Sequence, residues 1–167
     1  MQWLLSLKLV VLLTVANGAP AIAWRVFGEY FNQPLDGGVA FFDKRPIFGH
    51  SKTIRGIILS LVAATASAPV LGLEWVTGLC VGVIAMLGDL VSSFLKRRLN
   101  MPPSSRATVI DQIPECLLPT LAIRSTLGLG ALDVIFIVII FFLGHITLSQ
   151  LFFRWKIRNR PYQTAPF

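Results

Sequence analysis

Five apolar stretches, separated by polar segments, dominate the pattern of this chain. A bilayer core about 30 Å thick requires roughly 20 apolar residues in a helix, and each stretch comes close to that length. Only His145 interrupts the fifth stretch, whereas the fourth is the weakest because it contains Glu115, two prolines and Arg124. The predicted spans are Trp3–Ala23, Gly56–Leu73, Trp75–Leu95, Ile113–Gly130 and Leu132–Phe153. The pattern therefore predicts an all-α integral membrane protein with about five transmembrane helices.

The connections between these stretches alternate between long basic loops and short turns. Segments 24–55 and 96–112 are long and polar, while residues 72–74 and 128–130 form tight turns. With five spans, 13 of the 15 lysines and arginines fall on the face that carries both long loops and the C-terminal tail. Because excess Lys and Arg marks the cytoplasmic side, we predict two long cytoplasmic loops, an external N-terminus and a cytoplasmic C-terminus in the cell (inner) membrane.

The composition agrees with a single membrane-embedded domain over residues 1–167. Hydrophobic residues make up 54% of the chain and charged residues only 14%, against roughly 25% charged residues in soluble proteins. The net charge of +7 then favours an anionic lipid surface or an anionic substrate over nucleic acid. A cleaved signal peptide is the competing interpretation of the first stretch. Cleavage would place the first basic loop outside, so we expect the stretch to be retained.

Asp89 is the first candidate for chemistry, because ionisable groups at membrane depth are functional candidates by default. Ser92, Ser93, Lys96 and Arg97 follow it at offsets that share one face of a helix. That face would carry an anion at its deep end and cations at its mouth, which suits a divalent metal below and phosphates above. The alternative is an Asp89 that only pairs with a neighbouring arginine such as Arg124. Because an arginine in an apolar stretch must find a partner or water, we expect Arg124 to face the bundle interior near Glu115 or Asp89.

Asp111 is the second candidate. It lies on the far side of the basic loop from Asp89, at the same predicted membrane depth. Two such carboxylates are able to share Mg²⁺, which binds carboxylate, water and phosphate oxygens. A carboxylate that only stabilises the first turn of a helix is the alternative, because Pro114 follows closely and suits a helix start.

A basic segment at residues 49–56 lies where the first long loop becomes the second span. Ser51 or Thr53 is placed to cap that helix, whose free N–H groups favour phosphate. Lys52 and Arg55, three residues apart, are predicted to share a face. An ordinary basic loop on the cytoplasmic side remains the alternative.

Asp36, Gly37 and Gly38 form a third polar segment, in the first long loop. The glycines allow the backbone to approach a ligand closely, although a plain turn explains the composition equally well. Asn17, late in the first span, is predicted to line a cavity or to mark a kinked helix.

Taken in order, these motifs resemble the CDP-archaeol synthase family, which is related to the bacterial phosphatidate cytidylyltransferases. The resemblance covers almost the whole chain. The motifs that carry it are Asn17–Pro20, Pro34–Gly38 with Phe42–Asp43, Gly49–Gly56, Gly88–Arg98 and Asp111–Gln112.

The resemblance implies an enzyme that converts CTP and a membrane lipid phosphate to CDP-lipid and pyrophosphate with Mg²⁺. Asp89 and Asp111 would bind the metal and, with Lys52 and Lys96, would be the catalytic residues. Asp36 and its two glycines would shape the nucleotide site. The residues that would hold substrate or its phosphates are Asn17, Ser51, Lys52, Thr53, Arg55, Ser92, Ser93, Lys96, Arg97 and Arg98.

Two departures from the archaeal pattern leave the lipid open between an ether lipid phosphate and phosphatidate. His50 and Ser51 stand where an acidic residue or glycine is usual, and residues 102–105 replace a glycine-rich run. A small transporter or a non-catalytic membrane subunit is the alternative function. A transport path predicts polar residues near the middle of the membrane, whereas here they cluster at the ends of the spans.

Overall fold

The computed structural model describes residues 2–101 and 108–154, which form five α-helices. Arg106, residues 102–105 and the basic residues Lys156, Arg158 and Arg160 lie outside the described residues. The helices are α1 (Trp3–Phe27), α2 (Ile54–Val70), α3 (Trp75–Arg98), α4 (Thr108–Ile123) and α5 (Ala131–Arg154). The prediction of an all-α protein is confirmed, and four of the five helices lie within four residues of the predicted bounds.

The helices pack in an up-and-down order, so the ends of α1 and α3 meet the starts of α2 and α4. We call this end of the bundle, with the segment 28–53, the polar end. The tightest approach between α2 and α3 is made by small residues. A Cβ atom added to Gly78 would lie 2.5 Å from the Ala64 carbonyl oxygen. Small residues at helix crossings are typical of bundles that associate in lipid.

The interior between α1 and the other helices is mostly aliphatic. Leu9, Leu12, Leu13 and Ala16 of α1 are all buried in the main apolar cluster. Ser60 of α2 is also fully buried, and its hydroxyl donates a 2.6 Å hydrogen bond to the Ala16 carbonyl. A hydroxyl that bonds a neighbouring backbone carbonyl is satisfied without water, as a membrane interior requires.

By length and composition, α1 and α3 are each able to cross a membrane. Helix α2 and residues 131–147 of α5 are apolar but shorter. On the outer surfaces of these helices many large apolar side chains are exposed, including Leu4, Ile58 and Ile135. Such a surface is suited to lipid contact.

The predicted bounds of the fourth span were wrong. Helix α4 begins at Thr108 and ends at Ile123, several residues before the predicted segment at both ends. Asp111 and Gln112 fall inside the helix because they face the bundle rather than water, so their polarity did not mark the helix start. Pro114 also lies within the helix and not in its first turn.

Candidate active site

Lys52 and Asp89 form an ion pair at the polar end. The Thr53 hydroxyl caps α2 by accepting a 3.1 Å hydrogen bond from the Gly56 amide. The preceding Lys52 is fixed through its carbonyl, which accepts from the Leu35 amide at 2.7 Å. From this position the Lys52 ammonium group donates to both carboxylate oxygens of Asp89. The side chains of the pair are 19% and 20% exposed, so ligands have only limited access to them.

A second ion pair links the end of α3 to the start of α4. The Lys96 ammonium nitrogen lies 2.7 Å from the Asp111 Oδ1 atom, and Lys96 is 8% exposed. The Asp111 side chain is 20% exposed, so this ion pair is largely shielded from water. Asp89 and Asp111 are thus each held against a lysine from another segment.

Glu115 is a third acidic residue at this position, and the sequence analysis did not assign it to the site. It is 7% exposed, and its carboxyl group interacts with that of Asp89. Helices α3 and α4 approach each other most closely here, because an added Cβ on Gly88 would lie 2.9 Å from the Glu115 nitrogen. The available signal was the four-residue spacing from Asp111, which places both carboxylates on one face of α4.

The serines and Arg97 extend this face of α3 as predicted. Ser92 and Ser93 are buried, and the Ser92 hydroxyl donates to the Asp89 carbonyl at 2.9 Å. Arg97 is 4% exposed and donates a 2.6 Å hydrogen bond to the Met101 carbonyl. The glycine at position 49 packs against it, since an added Cβ would lie 3.9 Å from the Arg97 Nε atom. The predicted face therefore exists, with its cations at the polar end.

Arg98 contacts the protein itself rather than an open site. Its guanidinium lies 4.9 Å from the ring centres of both Phe41 and Phe94. The same group donates to Asp43 and, at 2.7 Å, to the Pro46 carbonyl. Stacking and hydrogen bonding use most of its capacity, so in this conformation Arg98 fastens the first loop to α3.

Arg55 also has a structural environment. It donates to the Tyr30 and Gly28 carbonyls and lies 5.9 Å from the Phe27 ring centre. It therefore binds the end of α1, while Lys52 points to Asp89, and the prediction that the two share a face was wrong. Lys52 lies before the first turn of α2, so helical spacing does not apply to the pair.

Asp36 organises the first loop. Its Oδ2 atom accepts from the Phe48 and Gly49 amides, both at 2.9 Å, and its Oδ1 atom accepts from Gly38 at 3.0 Å. Partial burial raises the pKa of the carboxyl, but the three backbone hydrogen bonds outweigh this and leave the pKa below its ordinary value of 3.8. Gly37 and Gly38 have φ values of 56° and 79°, which favour glycine. Asp36 thus ties its own turn to the backbone of Phe48 and Gly49, in the segment that leads to Lys52.

Three further candidates do not join the two ion pairs by any contact among the described residues. Asn17 donates back to the Leu13 carbonyl of its own helix at 3.0 Å, and Ser51 is exposed. Arg124, expected in the bundle near Glu115 or Asp89, follows the end of α4 instead. Its Nε atom donates to the Leu129 carbonyl at 3.1 Å. The expected position was wrong because α4 ends earlier than its apolar pattern indicated.

At the polar end Asp89 and Asp111 are each paired with a lysine, and Glu115 lies beside Asp89. In the part of the chain that the structure describes, no group of three or more His, Cys, Asp or Glu side chains has the arrangement of a metal site. Cys80 is exposed, Cys116 is buried, and both are free. The site that remains combines Asp89, Asp111 and Glu115 with the ammonium groups of two lysines, and such a set is suited to a phosphate-rich ligand with a hard cation.

Comparisons with known proteins give a consistent result. The sequence profile described as "CarS-like: CDP-archaeol synthase" matches residues 59–162. A CDP-archaeol synthase of Sulfurisphaera tokodaii is 34% identical over 135 residues, covering 77% of this chain and 81% of the relative. One of Sulfolobus acidocaldarius is 31% identical over 166 residues, covering 95% and 98%.

A solved structure is also similar to this chain. It is described as an intramembrane enzyme for archaeal membrane lipid biosynthesis, and it aligns with a TM-score of 0.72 and 27% sequence identity. The alignment covers 84% of this chain and 90% of the solved one. The helical bundle is therefore the fold of a membrane enzyme.

Proposed function

Because the chain belongs to the CDP-archaeol synthase family and is a CTP-dependent cytidylyltransferase, we propose that it transfers CMP from CTP to an archaeal ether lipid phosphate. The products would be CDP-lipid, for phospholipid synthesis, and pyrophosphate. The names of the relatives favour this lipid over phosphatidate, which the sequence left as an equal alternative.

The observation that carries the proposal is the pair of ion pairs at the polar end. Lys52–Asp89 and Lys96–Asp111 bring two ammonium groups and two carboxylates together from three segments of the chain, the first loop, α3 and α4. A triphosphate and a lipid phosphate are both anionic, so their reaction depends mainly on charge neutralisation and positioning. The two lysines supply positive charge next to carboxylates that suit a cation.

The chemistry is an in-line substitution at the α-phosphorus of CTP. A lipid phosphate oxygen forms a bond to that phosphorus, while the bond from the phosphorus to the bridging oxygen of the β-phosphate breaks. Pyrophosphate leaves with the electron pair of that bond, and no covalent enzyme intermediate is required. Lys52 and Lys96 would bind phosphate oxygens, and Arg97 would add positive charge at the mouth of the same face.

Mg²⁺ is the cofactor we propose for this site, held by Asp89 and Asp111. The donor set fits, because carboxylate oxygens are the protein ligands that Mg²⁺ prefers. Both carboxylates lie at the polar end, each against a lysine ammonium group that a bound cation would have to displace. When bound, the ion would offset the negative charge of the phosphates.

We also propose that all five helices cross the membrane, with the polar end on the cytoplasmic side. The Lys/Arg distribution supports this orientation, and it places the site where soluble CTP is available. The N-terminus would then be outside and the C-terminus inside. A transporter would require polar groups midway along the bundle, whereas these ion pairs lie at one end of it.

The experiment is incubation of purified protein with labelled CTP, Mg²⁺ and one of two lipids, an archaeal ether lipid phosphate or phosphatidate. We expect labelled CDP-lipid with the ether lipid phosphate. Product only with phosphatidate would reject the proposed lipid, and absence of product with either would reject the proposed reaction.

Asp89→Asn and Asp111→Asn are the matched variants, because each keeps the shape of the side chain and removes its charge. Loss of a charge-stabilising group commonly costs about 10²–10³ in rate, so each variant should lose at least that much product formation. Near-normal turnover of both at saturating Mg²⁺ would reject the two-carboxylate site and leave the reaction itself to the lipid experiment.

A further inference from the structure

A tight turn in the first loop presents an exposed aromatic side chain. Ala40 pairs with Pro46 as an antiparallel bridge, and the Phe41 amide donates to the Arg45 carbonyl at 2.7 Å. Residues 40–46, which we call the aromatic turn, carry Phe42 at their tip with 96% of its surface exposed. An aromatic ring with so little protein contact, in a turn closed by hydrogen bonds, is costly in water.

The aromatic turn is fixed against α3. The Phe42 ring packs edge-on against Phe41, with 4.9 Å between ring centres, and Phe41 packs edge-on against Phe94 of α3 at 5.5 Å. Arg98 stacks on Phe41 and Phe94 and donates to the Pro46 carbonyl at 2.7 Å. The position of Phe42 is therefore set by the end of α3.

This position continues the outer apolar surface of α3. Leu87, Val91, Leu95 and Leu99 repeat every four residues on one face of the helix, and they are 43–60% exposed. Phe94 lies beside this stripe, so the row of rings from Phe94 to Phe42 extends the stripe at the polar end. In a bundle embedded in lipid, such a stripe contacts the bilayer, and the aromatic turn then lies at the boundary of acyl chains and headgroups.

We propose that the aromatic turn is a membrane anchor, which inserts Phe42 into the interfacial region of the bilayer beside α3. The exposed Lys44, two residues further on, would lie among the lipid phosphates. Aromatic side chains on one side and cations on the other are the composition of interfacial segments. The protein's net charge of +7 favours an anionic leaflet.

The anchor has a consequence for the site. From Pro46 only six residues lead to Lys52, and this part is held by Asp36 and packs against Arg97 through Gly49. Anchoring the turn holds the Pro46 end of that segment at headgroup level, and the rest of the segment leads from there to the Lys52–Asp89 pair, where a lipid phosphate would bind. The membrane contact itself does not depend on the proposed reaction.

The test places an environment-sensitive fluorophore at the tip of the turn. In a Cys80→Ala background, Phe42→Cys is the labelling site, because the only other cysteine, Cys116, is 1% exposed. His50→Cys is the matched control, since His50 is exposed on the same loop but outside the aromatic turn. Both labelled proteins are reconstituted into vesicles of phosphatidylcholine and phosphatidylglycerol.

Two quenchers then distinguish the surroundings of the label. A nitroxide attached to lipid headgroups should quench the label at position 42 several-fold more strongly than the label at position 50, and aqueous iodide should show the reverse order. Equal quenching by iodide at both positions would overturn the proposal. Protection of position 42 from both quenchers would also overturn it and would indicate contact with protein, including a second copy of this chain.

Discussion

Gly88 offers the sharpest test of how the site depends on helix packing. A Cβ atom added there would lie 2.6 Å from the Pro114 carbonyl carbon and 2.9 Å from the Glu115 nitrogen, whereas ordinary contact begins at 3.4 Å. Because both obstacles are backbone atoms, they cannot rotate away. In Gly88→Ala, α3 and α4 must therefore separate by close to an ångström at the position of Asp89 and Glu115.

Two effects of this separation have known magnitudes. Overpacking a well-packed contact costs about 1–3 kcal/mol of stability, and a misplacement of about 1 Å in an active site costs about 10²-fold in rate. We therefore expect Gly88→Ala to lose both stability and catalytic rate, by about these amounts. Stability is measured as the temperature at which purified protein in detergent aggregates, and rate as CDP-lipid formed per folded protein.

Gly78→Ala is the matched control. Its added Cβ would lie 2.5 Å from the Ala64 carbonyl oxygen, so it overpacks the same helix against backbone, but toward α2 and ten residues from Gly88. It should lose a similar amount of stability and retain most of its rate. If the two variants lose rate equally, the site does not depend on the α3–α4 spacing, and the argument from Gly88 fails.

Three further predictions concern the first loop and the orientation. Arg98→Lys keeps the charge but loses the planar stacking on Phe41 and Phe94 that holds the first loop against α3. Trypsin should therefore cleave the first loop about tenfold faster in this variant. Unchanged cleavage together with a raised KM for CTP would indicate that Arg98 is a phosphate ligand instead. Asp36 accepts its backbone bonds when ionised, and its pKa lies below 3.8, so this stabilisation is present at neutral pH and lost only as the pH falls below about 4. Asp36→Asn should therefore exchange the Phe48 and Gly49 amide hydrogens about tenfold faster at neutral pH, a loss of about 1.4 kcal/mol, and unchanged exchange would contradict this. A reporter fused to the C-terminus should be active in the cytoplasm only, and activity restricted to the outside would reverse the proposed orientation.

The helices and most of the chemistry could be predicted from the sequence because their signals are local. Apolar stretches of sufficient length predict α1, α2, α3 and α5, and the spacing of Asp89, Ser92 and Lys96 predicts one helical face. The sequence also predicted that Asp111 lies at the depth of Asp89, but it did not predict that α4 begins at Thr108, before Asp111. A polar residue that faces the bundle interior has the same identity as one in a loop, so the bounds of α4 were wrong.

Contacts between distant segments could not be predicted in the same way. Arg98 was assigned to phosphate because the family resemblance implied that role, and only the folded loop brings Phe41 and Asp43 to it. Arg55 was grouped with Lys52 by spacing, yet the first residues of α2 point to different neighbours. Glu115 was noticed only as an interruption of an apolar stretch, because Asp89, the carboxylate beside it, lies on another helix.

The paired charges bear on how the two proposed ligands would bind. In the described structure Lys52 and Lys96 each offset a carboxylate, which keeps the buried charges compensated in a region where unpaired ones are costly. Under the proposed function, phosphates bound to Lys52 would release Asp89 from its ammonium partner, and a cation bound to Asp89 would release Lys52. Each ligand would then remove the contact that competes with the other, so by linkage we expect the two to bind more tightly together than separately. The same ion pairs would thus favour the nucleotide and its cation as a complex over either one alone.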